Sequence, residues 1–228
     1  MNKNLLRLFS VLCLALLVSC QSIGKKQPEE EFIVHWDSPQ FQIGEVELQT
    51  EPPLGLGQIK KITVPVFYFP DEDAVVLRFR PEFTTFQQCW SNKGRQSFIE
   101  ALQKYNEDYS ARTLDIKNNK SKRKYNVVKG YLIWQQFAFT TRARGNVKIE
   151  IGYIFKDNVP YFSINQLEAE YIDEISRGGN RSSSIISLYL TRAQAAELAA
   201  LFDKDFLNGL KTQRGADSLN NNSGKEYY

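Results

Sequence analysis

From Lys124 to Ile172 the chain reads KYNVVKGYLIWQQFAFTTRARGNVKIEIGYIFKDNVPYFSINQLEAEYI. Apolar and polar side chains alternate along most of it, most regularly at Val147, Ile149, Ile151, Tyr153 and Phe155. A period of two places every second side chain on one face of a strand, so this stretch has to be sheet. Gly145-Asn146 and Asp157-Asn158 carry the residue types of tight hairpin turns, which divides the stretch into three long strands. Strands joined by such short turns are antiparallel. The pattern also runs upstream: Val46 and Leu48 alternate with glutamates, and Ile62, Val64, Val66 and Tyr68 follow the break EPPLGLGQ. Val75, Leu77 and Phe79 come after a turn at Pro70-Asp71-Glu72-Asp73. A last short strand, Ile185 to Leu190, follows SRGGNRSSS. The 15 Phe, 11 Tyr and 3 Trp suit a sheet-rich chain.

Two segments change to helical spacing. Ser91 is placed to cap a helix with Phe98, Leu102, Tyr105 and Tyr109 on one face. Thr191 and Gln194 have capping-box spacing ahead of Ala195, Leu198, Ala199, Phe202 and Phe206. The expected fold class is therefore α+β: a curved, mainly antiparallel sheet of about six or seven strands packed with two helices, at about 91–112 and 191–210. One domain is expected over 34–210, between a flexible tether at 20–33 and a disordered tail at 211–228.

The first residues carry an address. Lys3 and Arg7 precede an apolar run from Leu5 to Val18, and Ser19 is the small residue before Cys20. That is the order of a secretory signal, and the run of roughly 14 apolar residues is short of the ~20 that span a bilayer. Leu17-Val18-Ser19-Cys20 resembles the lipobox of bacterial lipoproteins. The resemblance covers residues 1–20 and implies that Cys20 is lipidated, that residues 1–19 are removed as signal peptide, and that acyl chains on Cys20 hold the chain on a membrane. Two or three such chains anchor firmly where one binds marginally. Gln21 follows the cysteine, and under the enterobacterial sorting pattern this implies the outer membrane in preference to the inner.

Removing residues 1–19 takes Lys3 and Arg7 and no acid, leaving 27 basic residues against 26 acidic. A surface this near neutrality gives no long-range attraction to nucleic acid, which is not expected as a partner. Of the 3 cysteines, Cys13 leaves with the signal and Cys20 carries lipid, so Cys89 stands alone and reads as a buried thiol beside Trp90. His35 is the 1 histidine, and its place where the tether meets the domain speaks against a Ser-His-Asp triad, while its being single excludes a multi-histidine metal site. No glycine-rich phosphate loop or dinucleotide-binding pattern is present. No catalytic residue, metal or cofactor is expected.

Binding is the remaining class. The loop SRGGNRSSS contains Arg177, Gly178, Gly179 and Arg181, which can form a backbone nest for an anion. Trp134, with Phe137, Phe139, Tyr153, Phe155, Tyr161 and Phe162, lies on neighbouring strands and can line an apolar cavity. The basic stretch 117–124 reads as a solvated loop able to touch anionic headgroups, and Arg142 and Arg144 as flanks of a hairpin tip. The expected function is a membrane-anchored envelope lipoprotein acting as a non-catalytic binding or assembly component, with an envelope protein or lipid as partner. A carrier of apolar ligands or lipids is the first alternative. A hydrolase working through carboxylates such as Glu168 and Glu170 is the second, and needs two facing acids.

Overall fold

The computed structural model describes residues 32–35, 38–51, 59–117, 122–136, 142–174 and 182–223, with residues 136, 173, 174 and 214–223 as backbone only. The strands are β1 (Phe41–Thr50), β2 (Lys60–Phe69), β3 (Ala74–Phe79), β4 (Thr84–Trp90), β5 (Lys124–Gln136), β6 (Ala143–Lys156), β7 (Val159–Gln166), β8 (Glu170–Glu174) and β9 (Ile186–Leu190). The helices are α1 (Asn92–Ser110), α2 (Arg192–Phe202) and α3 (Lys204–Ser223).

The sheet closes on itself. Strands β1 to β5 pair in sequence, β5 pairs with β6, β6 with β7, β7 with β9, and β9 returns to β1, all antiparallel. This eight-stranded barrel, with β8 outside the ring and three helices among the described residues, replaces the expected open sheet and two helices. Period-two alternation looks the same in an open sheet and a closed one, and closure depends on which distant edges meet. The closing contact is also thin: β1 meets β9 only through Gln49↔Tyr189 and Thr50↔Leu188. Three side-chain bonds reinforce it. Thr50 Oγ1 donates to Ser187 O at 3.0 Å, Tyr189 OH donates to Glu51 Oε2 at 2.9 Å, and Lys156 Nζ reaches the same oxygen at 2.8 Å.

Gly145 and Asn146 are not a turn. They lie inside β6, whose connection to β5 spans 137–142, of which 137–141 fall outside the described residues. A Cβ at Gly145 would stand 2.3 Å from the Glu170 carbonyl oxygen, so the glycine marks where β8 crosses close to β6. β7 and β8 lie along the same edge of β6, with a one-residue shift between Ile149↔Gln166 and Asn146↔Glu170. Asp157 and Asn158 do form the expected hairpin turn, with φ of 49° and 63°.

Both long connections that contain helices leave from one end of the barrel, α1 after β4 and α2 after β9. Ser91 Oγ accepts from Gly94 N at 3.2 Å, and Thr191 and Gln194 form the capping box the spacing called for. Phe98 of α1 and Phe202 of α2 enter the barrel and meet each other at 5.0 Å, with Phe98 also against Phe162 at 5.3 Å and Phe202 against Trp90 at 5.2 Å. All four rings are buried, and burying a side chain of that size contributes about 3 kcal/mol. The helices thus plug this end. Asp203 divides the expected second helix: its extended backbone ends α2, and its Oδ1 accepts from Phe206 N at 2.9 Å to cap α3. Helical backbone then continues to Ser223, into the stretch expected to be a tail.

A second apolar cluster lies on the outer face of β2–β5, formed by Phe69, Ala74, Val76, Cys89, Tyr131 and Ile133 and covered by residues 32–34. Phe32 and Ile33, the end of the expected tether, are therefore half-buried against the wall. The β2–β3 turn gathers the neighbouring segments. Glu72 Oε1 accepts from His35 N at 3.3 Å and from Ser38 Oγ, while Lys211 Nζ of α3 donates to Pro70 O at 3.0 Å. Asp73, at φ 46°, receives Arg95 Nη2 of α1 at 2.8 Å. Arg95 is fully buried and also donates to the Trp90 carbonyl at 3.2 Å and to the Asp73 carbonyl. The acidic turn is a structural junction.

Candidate functional site

The strand ends Thr50 and Lys60, Phe79 and Thr84, Gln136 and Ala143, and Glu174 and Ile186 share the end opposite the helices, called the loop end for these strand ends, because antiparallel strands alternate direction around the barrel. Its apolar floor includes Phe86, paired in register with Trp134, which in turn pairs with Ala143. Phe79 stacks on Phe86 with centroids 5.6 Å apart. Trp134 is 2% exposed, and its neighbours in the interior cluster are equally buried. Apolar side chains stand free at the rim: Phe83 is 67% exposed, Ile185 63% and Ile172 40%. Exposed apolar side chains also occur at the helix end, at Ile116 and Val159, and Phe83 is the most exposed of the large ones among the described residues.

A chain of amides crosses the barrel, starting from Gln88, one inward position beyond Phe86 toward the helices. Trp90 Nε1 donates to Gln88 Oε1 at 2.9 Å, Gln88 Nε2 donates to Gln166 Oε1 at 3.0 Å, and Gln166 Nε2 donates to Ser184 O at 3.3 Å. Gln88 on β4 and Gln166 on β7 are both fully buried. Buried amides are tolerated when their bonds are made, and a satisfied network imposes one arrangement on a core. Sequence reading passed over this pair, although Gln88 shares the inward parity of Phe86 and Trp90 and could have been assigned to the interior from period two alone.

The outer flank near the same end holds Arg78, Arg80, Arg142 and Arg144. Arg78 lies 4.1 Å over the Phe67 ring and donates to Gln40 Oε1 at 3.0 Å. Burial, and next the charge of Arg142, lowers its pKa below the ordinary guanidinium value. Arg142 Nε donates to Gln135 Oε1 at 3.2 Å, and Arg80 Nε to Glu82 O at 3.1 Å. On the far side of the barrel, Glu45, Glu47 and Thr63 line an open groove with Gln194 and Glu197 of α2.

Of the residues singled out in the sequence, Trp134 faces the interior below the mouth at the loop end. Arg177, Gly178, Gly179 and Arg181 fall outside the described residues, as does Cys20. The flanks of that loop are described: β8 ends at Glu174, paired with Ala143 beside Trp134, and Ser183 Oγ accepts from Ala169 N at 2.7 Å. Glu174 and Ser183, described residues on either side of that stretch, lie toward the same end of the barrel as Trp134. Glu168 accepts from Ser182 Oγ, and Glu170 lies 4.0 Å from Lys148 with its side chain 79% exposed. Among the described residues no group of three His, Cys, Asp or Glu side chains is placed to hold a metal.

These features define a class: an eight-stranded antiparallel β-barrel plugged at one end by helices. The family follows from the sequence. A family model described as "Uncharacterised Treponema protein" matches residues 8–209, and the chain belongs to that family. No curated protein and no solved structure matches the chain.

Proposed function

We propose that the protein is a lipid-anchored, non-catalytic binding or assembly component of a bacterial cell envelope, working through the mouth at the loop end of its barrel. The observation that carries the binding half is the inequality of the two ends. One is filled by Phe98 and Phe202 from the helices, and the other carries Phe83, the most exposed large apolar side chain among the described residues, with Ile172 and Ile185. The anchoring half draws on Leu17-Val18-Ser19-Cys20, which the family match from residue 8 onward includes. Among the described residues no helix is long and apolar enough to cross a membrane, and acyl chains on Cys20 supply the attachment. Gln21 directs the reading toward the outer membrane.

A carrier of apolar ligands or lipids is the reading favoured by the aromatic floor of Phe79, Phe86 and Trp134. Eight strands enclose an interior that side chains can fill or that can hold one small ligand. With the helix-side half filled, the ligand of a carrier would sit between the floor and the rim. The hydrolase reading would use Glu168, which accepts from Ser182 Oγ, and Glu170, which is 79% exposed near Lys148.

Native mass spectrometry of the chain from Gln21, purified gently from a bacterial host, tests the choice. A bare monomer that captures an envelope protein through the mouth, and loses it on Phe83→Asp, supports the binding component. A co-purifying mass of lipid size moves the carrier to first place. Unchanged capture by the Phe83→Asp protein overturns the mouth as the binding face.

A further inference from the structure

Residues 32–35 and Ser38 cross the outer wall through contacts separate from those that close the barrel. The wall cluster of Val34, Phe69, Ala74, Val76, Cys89, Tyr131 and Ile133 shares no residue with the interior cluster. Pairing of the ring begins only at Phe41, so none of its ladders uses the segment. The latch is Glu72. Its Oε1 accepts from His35 N and Ser38 Oγ, whereas its Oε2 is buried with no donor among the described residues. A buried carboxylate oxygen without a donor carries a desolvation penalty that hydration removes. Lifting the segment therefore recovers part of what the lost apolar contact costs, and leaves the interior untouched.

We infer that residues 32–35 with Ser38 form a releasable strap, which when docked seals the wall over Cys89 and when lifted uncovers that wall and lengthens the link to the membrane. The lengthening rests on the reading of Cys20 as the anchor. Residues 21–31 reach roughly 40 Å when extended, and freeing the chain up to residue 40 adds about 30 Å. The barrel then has two working distances from the bilayer, and the wall of β2–β5 is offered only at the longer one. Cys89 reports the state directly: it is fully buried under the strap, and burial pushes its thiol pKa up, so the docked state suppresses the reactive thiolate.

The experiment is the rate of Cys89 alkylation by iodoacetamide in the mature, detergent-solubilised protein, followed by peptide mapping. Val34 is 2% exposed, and Val34→Asp places a charge against the wall without altering a ring residue. The expected result is a rise of at least about tenfold in the Cys89 rate with an unchanged urea midpoint, since only local opening is involved. Glu72→Ala, which removes the latch, moves the rate in the same direction. An unchanged rate in both variants overturns the strap, and so does a fall of the midpoint in step with the rate, which makes the segment part of the barrel's fold. Alkylation at Cys20 refutes the anchor and leaves the Cys89 comparison intact.

Discussion

Replacing Asp73 by alanine removes the anionic partner of a guanidinium that has no access to water. Arg95 has a side chain 0% exposed, against 47% for Asp73, and the pair is 2.8 Å apart. Breaking a buried pair costs about 3–5 kcal/mol because the remaining charge is stranded. Here water screens the exposed half of the pair, and the carbonyls of Trp90 and Asp73 still accept from Arg95, which sets the expectation at about 2–3 kcal/mol. Position 73 also has φ 46°, where alanine adds about 1 kcal/mol that aspartate and asparagine largely avoid. Asp73→Asn keeps that backbone tolerance and a side-chain oxygen but not the charge, and charge-assisted bonds are about twice as strong as neutral ones. Its expected loss is about 1–2 kcal/mol. The assay is urea unfolding at neutral pH. With a slope of about 2 kcal/mol/M, Asp73→Ala lowers the midpoint by about 1.5–2 M and Asp73→Asn by about 0.5–1 M. Midpoints within about 0.3 M of the parent for both variants would refute the junction. Equal losses in the two would assign the effect to something other than charge and backbone angle.

At Gly145 an alanine Cβ meets the Glu170 carbonyl at 2.3 Å, so Gly145→Ala forces β8 from β6. We expect faster hydrogen exchange at the β8 amides, protection retained in β2–β4, and a loss of about 1–3 kcal/mol. Gln88→Leu leaves Trp90 Nε1 and Gln166 Oε1 without their bonds, at about 1–3 kcal/mol for each stranded group. The Gln88→Leu/Gln166→Leu double variant recovers part of the loss at Gln166, and a double-mutant cycle measures the coupling. Acid stability tests the seam: the hydrogen bond from Lys156 holds Glu51 below the usual carboxylate pKa. A carboxyl lowered on folding stabilises above its unfolded pKa, and the contribution is lost as pH falls through the folded value. The advantage of the parent over Glu51→Gln, below about 1 kcal/mol for so accessible a pair, is therefore present near neutrality and vanishes in acid.

Local chemistry was legible wherever one residue or one period decides it. The Ser91 cap, the Thr191–Gln194 box, the Asp157-Asn158 turn and the inward parity of Val147 to Tyr153 all stand as read. Closure was not legible, because Gln49↔Tyr189 joins residues far apart in sequence and no local period records which edges meet. Gly145 misled for a related reason: Gly-Asn suits a turn, yet the glycine answers to a strand that arrives later in the chain. Asp203 was a usable signal, since an aspartate before a new helical run caps it, but the apolar stripe from Ala195 to Phe206 concealed the break. In the site, Trp134 is a buried member of the interior cluster, while the Gln88–Gln166 bond needed the β4–β7 distance across the barrel.

The central claim is that this barrel works on a membrane to which Cys20 is covalently fixed. Intact mass spectrometry of the full-length chain, expressed in a bacterial host and purified from its membranes, tests that claim most directly. The account predicts a protein that lacks residues 1–19 and begins at Cys20 carrying a diacylglyceryl group, with or without a further acyl chain on its amino terminus. A mass that includes residues 1–19, or one beginning at Cys20 with a free thiol, would contradict it.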